Sequence, residues 1–219
     1  DRYLGGPGIC ELFTRKIDAF FRHAKPEHGA TCTLSHGDLR GDNIFFCDPS
    51  SSYPDGWLCI DFQLMFRGPV PSDLAYLMGS GSVLPTVYTG ENRNKVLRSF
   101  YDQFMARTQR YKGYTYDQFE HEYAMMSTVF LVYYVGMAAP SLQASAFRNE
   151  RPARVELGGK GATEAELNPQ EMRARMRFTK AFANARENLK AFDQYQYLQG
   201  LPESLDGLGA WVDLPDHLK

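Results

Sequence analysis

A turn-rich stretch between two short apolar runs limits the fold of this chain more than any other feature of its sequence. The runs are Ile44–Phe46 and Trp57–Phe62, and the residues between them, 48–56, include two prolines, three serines and a glycine. Apolar runs of strand length on either side of such turn residues predict a β-hairpin with a long tip. The first third of the chain is therefore expected to contain a small β element.

From residue 72 onward the sequence patterns are those of helices. Ser72 is expected to N-cap a short helix that reaches Met78. An apolar stripe predicts a further helix over Glu91–Arg107. Thr115 and Gln118 form a capping-box pattern ahead of a long apolar helix. The second half of the chain is therefore expected to be a helical bundle.

Two more helices are expected nearer the ends of the chain. Ile9–Ala24 has an amphipathic pattern, and Asn168 followed by Pro169 is typical of a helix start, here of a helix reaching about Phe192. The predicted fold class is α+β, mostly α, with one small β-hairpin element and a helical bundle. The predicted division is a main domain over residues 1–197 and an irregular C-terminal tail over 198–219.

Composition excludes several functional classes. The net charge is −2 and there is no Lys/Arg stripe, so a nucleic-acid partner is not expected. The longest apolar stretch, Met125–Pro140, is shorter than a bilayer crossing needs, so no membrane span is expected. Four cysteines without metal-ligand spacing fit a reduced, cytoplasmic protein.

The residues with the clearest chemical signal precede and follow the predicted hairpin. His36, Asp38 and Asn43 follow the pattern His-x-Asp-x-x-x-x-Asn, and Asp61 lies 18 positions later at the end of an apolar run. Phosphoryl transfer needs one carboxylate to receive the proton of the attacking hydroxyl and further oxygen ligands to hold Mg²⁺ against the phosphates. A loop and a hairpin in this order can bring all of these groups to one place.

Over Leu34–Met78 the sequence resembles a family of small-molecule kinases. The resemblance rests on four segments, namely His-Gly-Asp-Leu from residue 36, Asn-Ile-Phe-Phe from 43, Ile-Asp-Phe-Gln from 60 and the stretch 67–75. They are similar to the catalytic and metal-binding motifs of aminoglycoside phosphotransferases, choline kinases and the CHK kinase-like (ecdysteroid kinase-like) group, the last being the most similar in pattern. The resemblance implies an enzyme that transfers a phosphoryl group from ATP, with Mg²⁺, to a hydroxyl of a small molecule.

The same resemblance implies roles for individual residues. Asp38 is expected to be the catalytic base, and Asn43 and Asp61 are expected to bind Mg²⁺ and, through it, ATP. Arg40 lies two residues after the base, where protein kinases carry a lysine that contacts the transferred phosphate, although relatives in the small-molecule kinase family often carry another residue there. It is expected to make this phosphate contact, with a solvated arginine as the alternative. His36 and Asp73 are expected to be structural, His36 by bracing the catalytic loop and Asp73 by hydrogen-bonding its backbone.

The implied fold is the C-terminal lobe of a protein-kinase-like structure, with the N-terminal lobe absent from this sequence. No Gly-rich strand-turn-strand and no strand lysine precede His36. Two functions stay open. The chain is either part of an active kinase whose nucleotide face is covered by an N-terminal lobe or a partner chain, or a degenerate lobe that serves as a non-catalytic binding or assembly subunit.

The acceptor is not fixed by the sequence. Relatives phosphorylate cationic sugars, choline, macrolides and steroids, and the acceptor pocket would be built by the helices after Ser72. A cationic acceptor would favour carboxylates such as Glu120 and Glu122, although their spacing is that of an ordinary solvated helix face. A steroid-like acceptor would favour aromatic walls, which the tyrosine-rich helices permit, although core packing is expected for most of those tyrosines.

Overall fold

The computed structural model describes residues 12–13, 15–16, 30–48, 50, 56–88, 90–108, 110–148 and 169–201. Its strands are β1 (Cys32–Ser35), β2 (Ile44–Phe46), β3 (Trp57–Cys59) and β4 (Phe66–Pro69). Its helices are α1 (Ser72–Gly79), α2 (Pro85–Tyr88), α3 (Gly90–Arg107), α4 (Tyr116–Arg148), α5 (Pro169–Ala191) and α6 (Gln194–Gly200). The described fold is therefore α+β and mostly helical, as expected.

The strands form two antiparallel pairs rather than one. β2 and β3 make the predicted hairpin, with Ile44 opposite Cys59. β1 pairs with β4, with Cys32 opposite Pro69, and the expectation of a single sheet element is wrong. The second pair left no local signal, because its strands are far apart in sequence and Gly68 and Pro69 are unusual strand residues.

The two sheets place two connections side by side, residues 36–43 between β1 and β2 and residues 60–65 between β3 and β4. Gly37 marks the point of contact, with φ of +85°, and a Cβ added there would lie 2.0 Å from the carbonyl oxygen of Leu64. Only glycine fits this position, because the backbone conformation and the close approach both exclude a side chain. The loop that carries Asp38 is thereby pressed against the turn that carries Asp61.

The helices pack around one described core. The long helix α4 lies against α1 and α5, and α3 packs on α4. Phe119 is fully buried among the rings of Phe100, Tyr101, Tyr114 and Tyr116. Core packing is therefore the role of most of the described tyrosines. Within the described residues, no helix has the length and apolar composition needed to cross a bilayer.

Most of the predicted helix starts and ends are confirmed. The capping box is present, because Thr115 N donates to Gln118 Oε1 at 2.9 Å and Gln118 N donates to Thr115 Oγ1 at 3.2 Å. The helix predicted over Glu91–Arg107 runs from Gly90 to Arg107, and that predicted from Pro169 ends at Ala191.

The predicted cap of α1 is wrong. Ser72 is the first residue of that helix, with Pro71 at the cap position, and the Ser72 hydroxyl donates to the carbonyl of Pro69 at 2.6 Å. The Ser72 side chain is therefore bound to the last residue of β4. The next residue, Asp73, binds the loop before β2.

Near the chain ends the comparison with the sequence is partial. Of the helix predicted over Ile9–Ala24, residues 12, 13, 15 and 16 are described and helical. Asn168 lies outside the described residues. The predicted boundary between main domain and tail, after residue 197, falls within helix α6, and Leu198 on that helix is fully buried. Residues 202–219 lie outside the described part.

Candidate active site

Asp38 lies in the loop between β1 and β2, and each of its carboxylate oxygens accepts a hydrogen bond. The Tyr76 hydroxyl donates to Oδ1 at 2.6 Å, and Asn43 Nδ2 donates to Oδ2 at 3.1 Å. The residue is buried, with 8% of its surface exposed. Two donors on opposite oxygens fix the orientation of the carboxylate, while each oxygen keeps a further lone pair for a proton. This arrangement can serve as a general base.

Asn43 joins the Asp38 loop to the hairpin. Its Nδ2 donates a second hydrogen bond to the backbone carbonyl of Asp38 at 2.9 Å, and its own backbone carbonyl accepts from Ile60 N at 3.1 Å. Both contacts to Asp38 use the amide nitrogen. The amide oxygen Oδ1 is therefore the atom of Asn43 that is left to face a cation.

His36 braces the two connections against each other. Its Nε2 lies 2.9 Å from the carbonyl oxygen of Ile60, and its Nδ1 accepts a hydrogen bond from Asp38 N at 3.3 Å. Since Nδ1 accepts, Nε2 carries the proton and donates to Ile60. The imidazole also packs on the ring of Phe62, with centroids 4.5 Å apart.

Asp73, in the first turn of α1, binds the backbone at the start of the same loop. Its Oδ2 accepts from His36 N at 2.7 Å and its Oδ1 from Gly37 N at 2.9 Å. Hydrogen bonds to an ionised carboxylate are stronger than neutral ones. The helix therefore anchors the loop two residues ahead of Asp38.

Arg40 does not point freely into solvent. Its Nε lies 3.4 Å from Asp38 Oδ2, and its Nη1 lies 3.8 Å from Asp42 Oδ2. The arginine side chain is 27% exposed, whereas the Asp42 side chain is 71% exposed. A guanidinium in this position adds positive charge beside the Asp38 carboxylate, where an incoming phosphate would need it.

Asp61 follows Ile60, the residue whose backbone contacts both Asn43 and His36. Its φ of 68° and ψ of 58° are left-handed, an uncommon conformation for a residue other than glycine, and it precedes the 3₁₀ turn Phe62–Leu64. Such backbone outliers concentrate at functional sites. In the part of the chain that the structure describes, no group of three or more His, Cys, Asp and Glu side chains is arranged to hold a metal ion.

Sequence reasoning did not identify Tyr76 as part of this site. The residue is 3% exposed and lies three positions after Asp73, on the same face of α1. The three-residue spacing from Asp73 could have identified Tyr76. When Asp73 binds the loop backbone, the next side chain on the same face of α1 lies near the same loop.

Glu122, considered as a carboxylate for a cationic acceptor, is buried rather than solvated. Its Oε1 accepts from Thr31 N at 2.9 Å, and its Oε2 accepts from the Tyr114 hydroxyl. Burial raises the pKa of the Glu122 carboxyl, and these two hydrogen bonds partly oppose that rise. Burial and the adjacent carboxylate also raise the pKa of Tyr114. Glu122 therefore ties α4 to the chain ahead of β1, and the expectation of a solvated position is wrong.

A cavity of about 530 Å³ is lined in part by His36, Phe62 and Asp73. Four of its lining residues are apolar and well exposed, and we call them the apolar face: Leu34, Trp57, Phe62 and Met65. Cys59 also lines the cavity, and its burial, followed by the charge of Asp73, raises the pKa of its thiol. Large contiguous apolar surfaces of this kind mark places where another element binds.

Comparison with known proteins gives one family match. The ecdysteroid kinase-like family matches residues 4–113, just over half of the 219 residues, a span that includes every predicted site residue. No similar protein was found among curated sequences, and none among solved structures. The family match agrees with the resemblance carried by the motifs around Asp38 and Asp61. The chain is a member of the ecdysteroid kinase-like family.

Proposed function

We propose that this chain carries the catalytic loop of an ATP- and Mg²⁺-dependent phosphotransferase that acts on a hydroxyl group of a small molecule. The observation that carries the proposal is the environment of Asp38. Its carboxylate is buried and held on both oxygens, and its loop is anchored by Asp73 and pressed against the turn that bears Asp61. A kinase-like family fits this arrangement.

The proposed chemistry assigns one task to each polar group. Asp38 orients the acceptor hydroxyl and takes its proton as the oxygen attacks the terminal phosphorus of ATP, while the bond from that phosphorus to the bridging oxygen breaks and ADP leaves. The guanidinium of Arg40 stabilises negative charge on the phosphoryl group being transferred. His36 and Asp73 keep the loop in place and do not touch the reacting atoms. Because the reaction depends mainly on positioning and charge stabilisation, rigid support of Asp38 matters as much as its basicity.

The oxygen donors present fit Mg²⁺ rather than a softer metal. Asn43 offers an amide oxygen whose nitrogen is already engaged, and Asp61 offers an exposed carboxylate on the adjoining turn. Mg²⁺ is usually held by one or two carboxylates together with substrate phosphates and water, so a cluster of three acidic side chains is not needed. When bound, the ion neutralises charge on the ATP phosphates.

The proposed architecture is that of a kinase C-terminal lobe. The apolar face is then where an N-terminal lobe or a partner chain closes over the nucleotide, which accounts for aromatic and aliphatic side chains left about half exposed. The alternative, a lobe that only binds or assembles, is less favoured, because a purely structural loop has no need of a buried carboxylate held for proton transfer.

For the acceptor we favour an uncharged hydroxyl compound with an apolar ring surface, the class that the family name suggests. The carboxylate of Glu122 is buried and hydrogen-bonded, so it is not available to a cationic group. Near Asp38, Tyr76 packs against Phe130 and Tyr133, and the Tyr133 ring is 41% exposed. An aromatic surface beside the base suits an apolar acceptor.

Cys47 and Cys59 are free thiols. This supports the proposal of a cytoplasmic location, because the cytosol keeps thiols reduced.

The decisive experiment is phosphate transfer from radiolabelled ATP to a panel of steroid, choline and aminosugar acceptors by the intact protein. We expect Mg²⁺-dependent transfer, and we expect Asp38→Asn to lower the turnover by about 10²–10⁴-fold. Asp117→Asn, which removes an exposed carboxylate outside this loop, is the control. A rate unaffected by Asp38→Asn would refute the assignment of the base.

A further inference from the structure

Helix α1 contacts the candidate catalytic loop at two points through one face. Asp73 binds the loop backbone, and Tyr76, one turn later, binds the side chain of Asp38. The second contact is a 2.6 Å hydrogen bond between two buried groups, 3% and 8% exposed. A hydrogen bond between buried groups is stronger than one in water, so this contact is expected to persist.

The structure also fixes the tyrosine itself. The Tyr76 ring packs edge-on against Phe130, with centroids 4.7 Å apart, and lies 6.3 Å from the ring of Tyr133. Both partners belong to α4, the long helix that packs on α1. The hydroxyl is therefore held from the helical core, independently of the loop to which it donates.

We propose that Tyr76 is a positioning residue that orients the Asp38 carboxylate for proton transfer. This inference rests on the proposed function. Asn43 and Arg40 both lie at Oδ2 of Asp38, whereas the Tyr76 hydroxyl donates to Oδ1 and so fixes the second oxygen of the carboxylate. A base held in one orientation keeps a lone pair aimed at the acceptor hydroxyl, and small misplacements of reacting groups cost large factors in rate.

A competing interpretation gives the opposite result. The Tyr76 hydroxyl could occupy the place on Asp38 that the acceptor hydroxyl takes during the reaction, and it would then inhibit until displaced. In that case its removal would raise the turnover or tighten acceptor binding. Burial of the ring against Phe130 argues against such a displacement.

The test compares Tyr76→Phe with Tyr101→Phe in the intact protein. Each variant keeps its ring and loses one hydrogen bond, but the Tyr101 hydroxyl donates to the carbonyl of Tyr114 and not to the catalytic loop. Because the packing is kept, both variants are expected to fold, and thermal unfolding checks this. The ¹³Cγ resonance of Asp38, assigned by its loss in Asp38→Asn, reports the contact without any need for turnover.

We expect Tyr76→Phe to move the Asp38 ¹³Cγ resonance and to lower kcat by about 10–100-fold, with the acceptor KM changed less than about threefold. Tyr101→Phe is expected to change neither. An unmoved resonance would overturn the contact, and an unchanged or raised kcat with a moved resonance would overturn the positioning role. A wild-type protein that folds and shows this resonance but transfers no phosphate would overturn the proposed function, and the positioning role with it.

Discussion

Replacing Asp73 with asparagine tests how firmly α1 anchors the candidate catalytic loop. The carboxylate accepts two backbone hydrogen bonds, from His36 at 2.7 Å and from Gly37 at 2.9 Å. Asparagine has the same shape but offers one acceptor oxygen, and its NH₂ group then faces the other N–H donor. One hydrogen bond is lost, and the remaining one is no longer assisted by charge.

The expected cost follows from these two contacts. Hydrogen bonds to charged groups contribute about 1.5–3 kcal/mol each, and neutral ones about 0.5–1.5 kcal/mol. Replacing two of the first kind by one of the second, and allowing for the partial exposure of Asp73, gives a loss of about 2–4 kcal/mol in the free energy of unfolding. Interaction of the charge with the start of the helix accounts for at most about 1 kcal/mol of this.

Urea unfolding followed by circular dichroism measures the change. The matched control is Asp117→Asn, because Asp117 also lies in the first turn of a helix but is exposed. We expect the control to lose no more than about 1 kcal/mol. Equal losses in the two variants would refute the argument, since the loop contacts of Asp73 would then contribute nothing beyond the effect of charge at a helix start.

Three further predictions follow from backbone conformation and burial. Gly37→Ala is expected to destabilise the fold by several kcal/mol, because the added methyl group would clash with the carbonyl of Leu64. Gly56→Ala, with φ of +69° and open space around it, should cost about 1–2 kcal/mol in the same unfolding assay. Similar losses in the two variants would contradict the close approach of Gly37 to Leu64. Burial raises the pKa of Glu122 above its ordinary 4.5, so the folded state keeps a proton that the unfolded state has released, and its contribution to stability should fall as the pH rises above about 4.5. The stability of wild type relative to Glu122→Gln, measured by urea unfolding from pH 4 to pH 7, should therefore decrease, and a constant or increasing difference would contradict the burial. Asp61→Gly, at φ of 68°, should be as stable as wild type or more stable by up to about 1 kcal/mol, and a clear loss would show that the Asp61 side chain stabilises the unliganded fold. Asp193→Gly, at φ of 45°, is the control at a second left-handed aspartate.

The parts of the fold that could be predicted from sequence are those that depend on local chemistry. The hairpin was predictable because turn residues separate its two apolar runs, and the cap formed by Thr115 was predictable because its partner lies three residues away. The pairing of β1 with β4 was not, since its two strands are far apart in sequence and lie on either side of the hairpin. Non-local pairing has no short-range signature.

The residues of the candidate site also divide into those that could be predicted from sequence and those that could not. Asp38, Asn43 and Asp61 stand out by their order and spacing, but the contact of Tyr76 with Asp38 depends on how α1 docks against the loop. Glu122 has the spacing of a solvated residue, but it is buried and accepts hydrogen bonds from Thr31 N, ahead of β1, and from the Tyr114 hydroxyl. Burial of a polar residue by a distant segment is therefore the step that sequence patterns do not reveal.

The most direct test of the account is whether ATP binds to the intact protein through Mg²⁺ at Asp61. Thermal unfolding would be followed with ATP and Mg²⁺, with ATP and EDTA, and with neither. A ligand present at 100 times its Kd adds about 2.7 kcal/mol of stability, a shift that is readily measured. The account predicts that ATP stabilises wild type and Asp193→Gly only with Mg²⁺, and that Asp61→Gly loses this stabilisation; a stabilisation that is independent of Mg²⁺, or is retained in Asp61→Gly, would contradict it.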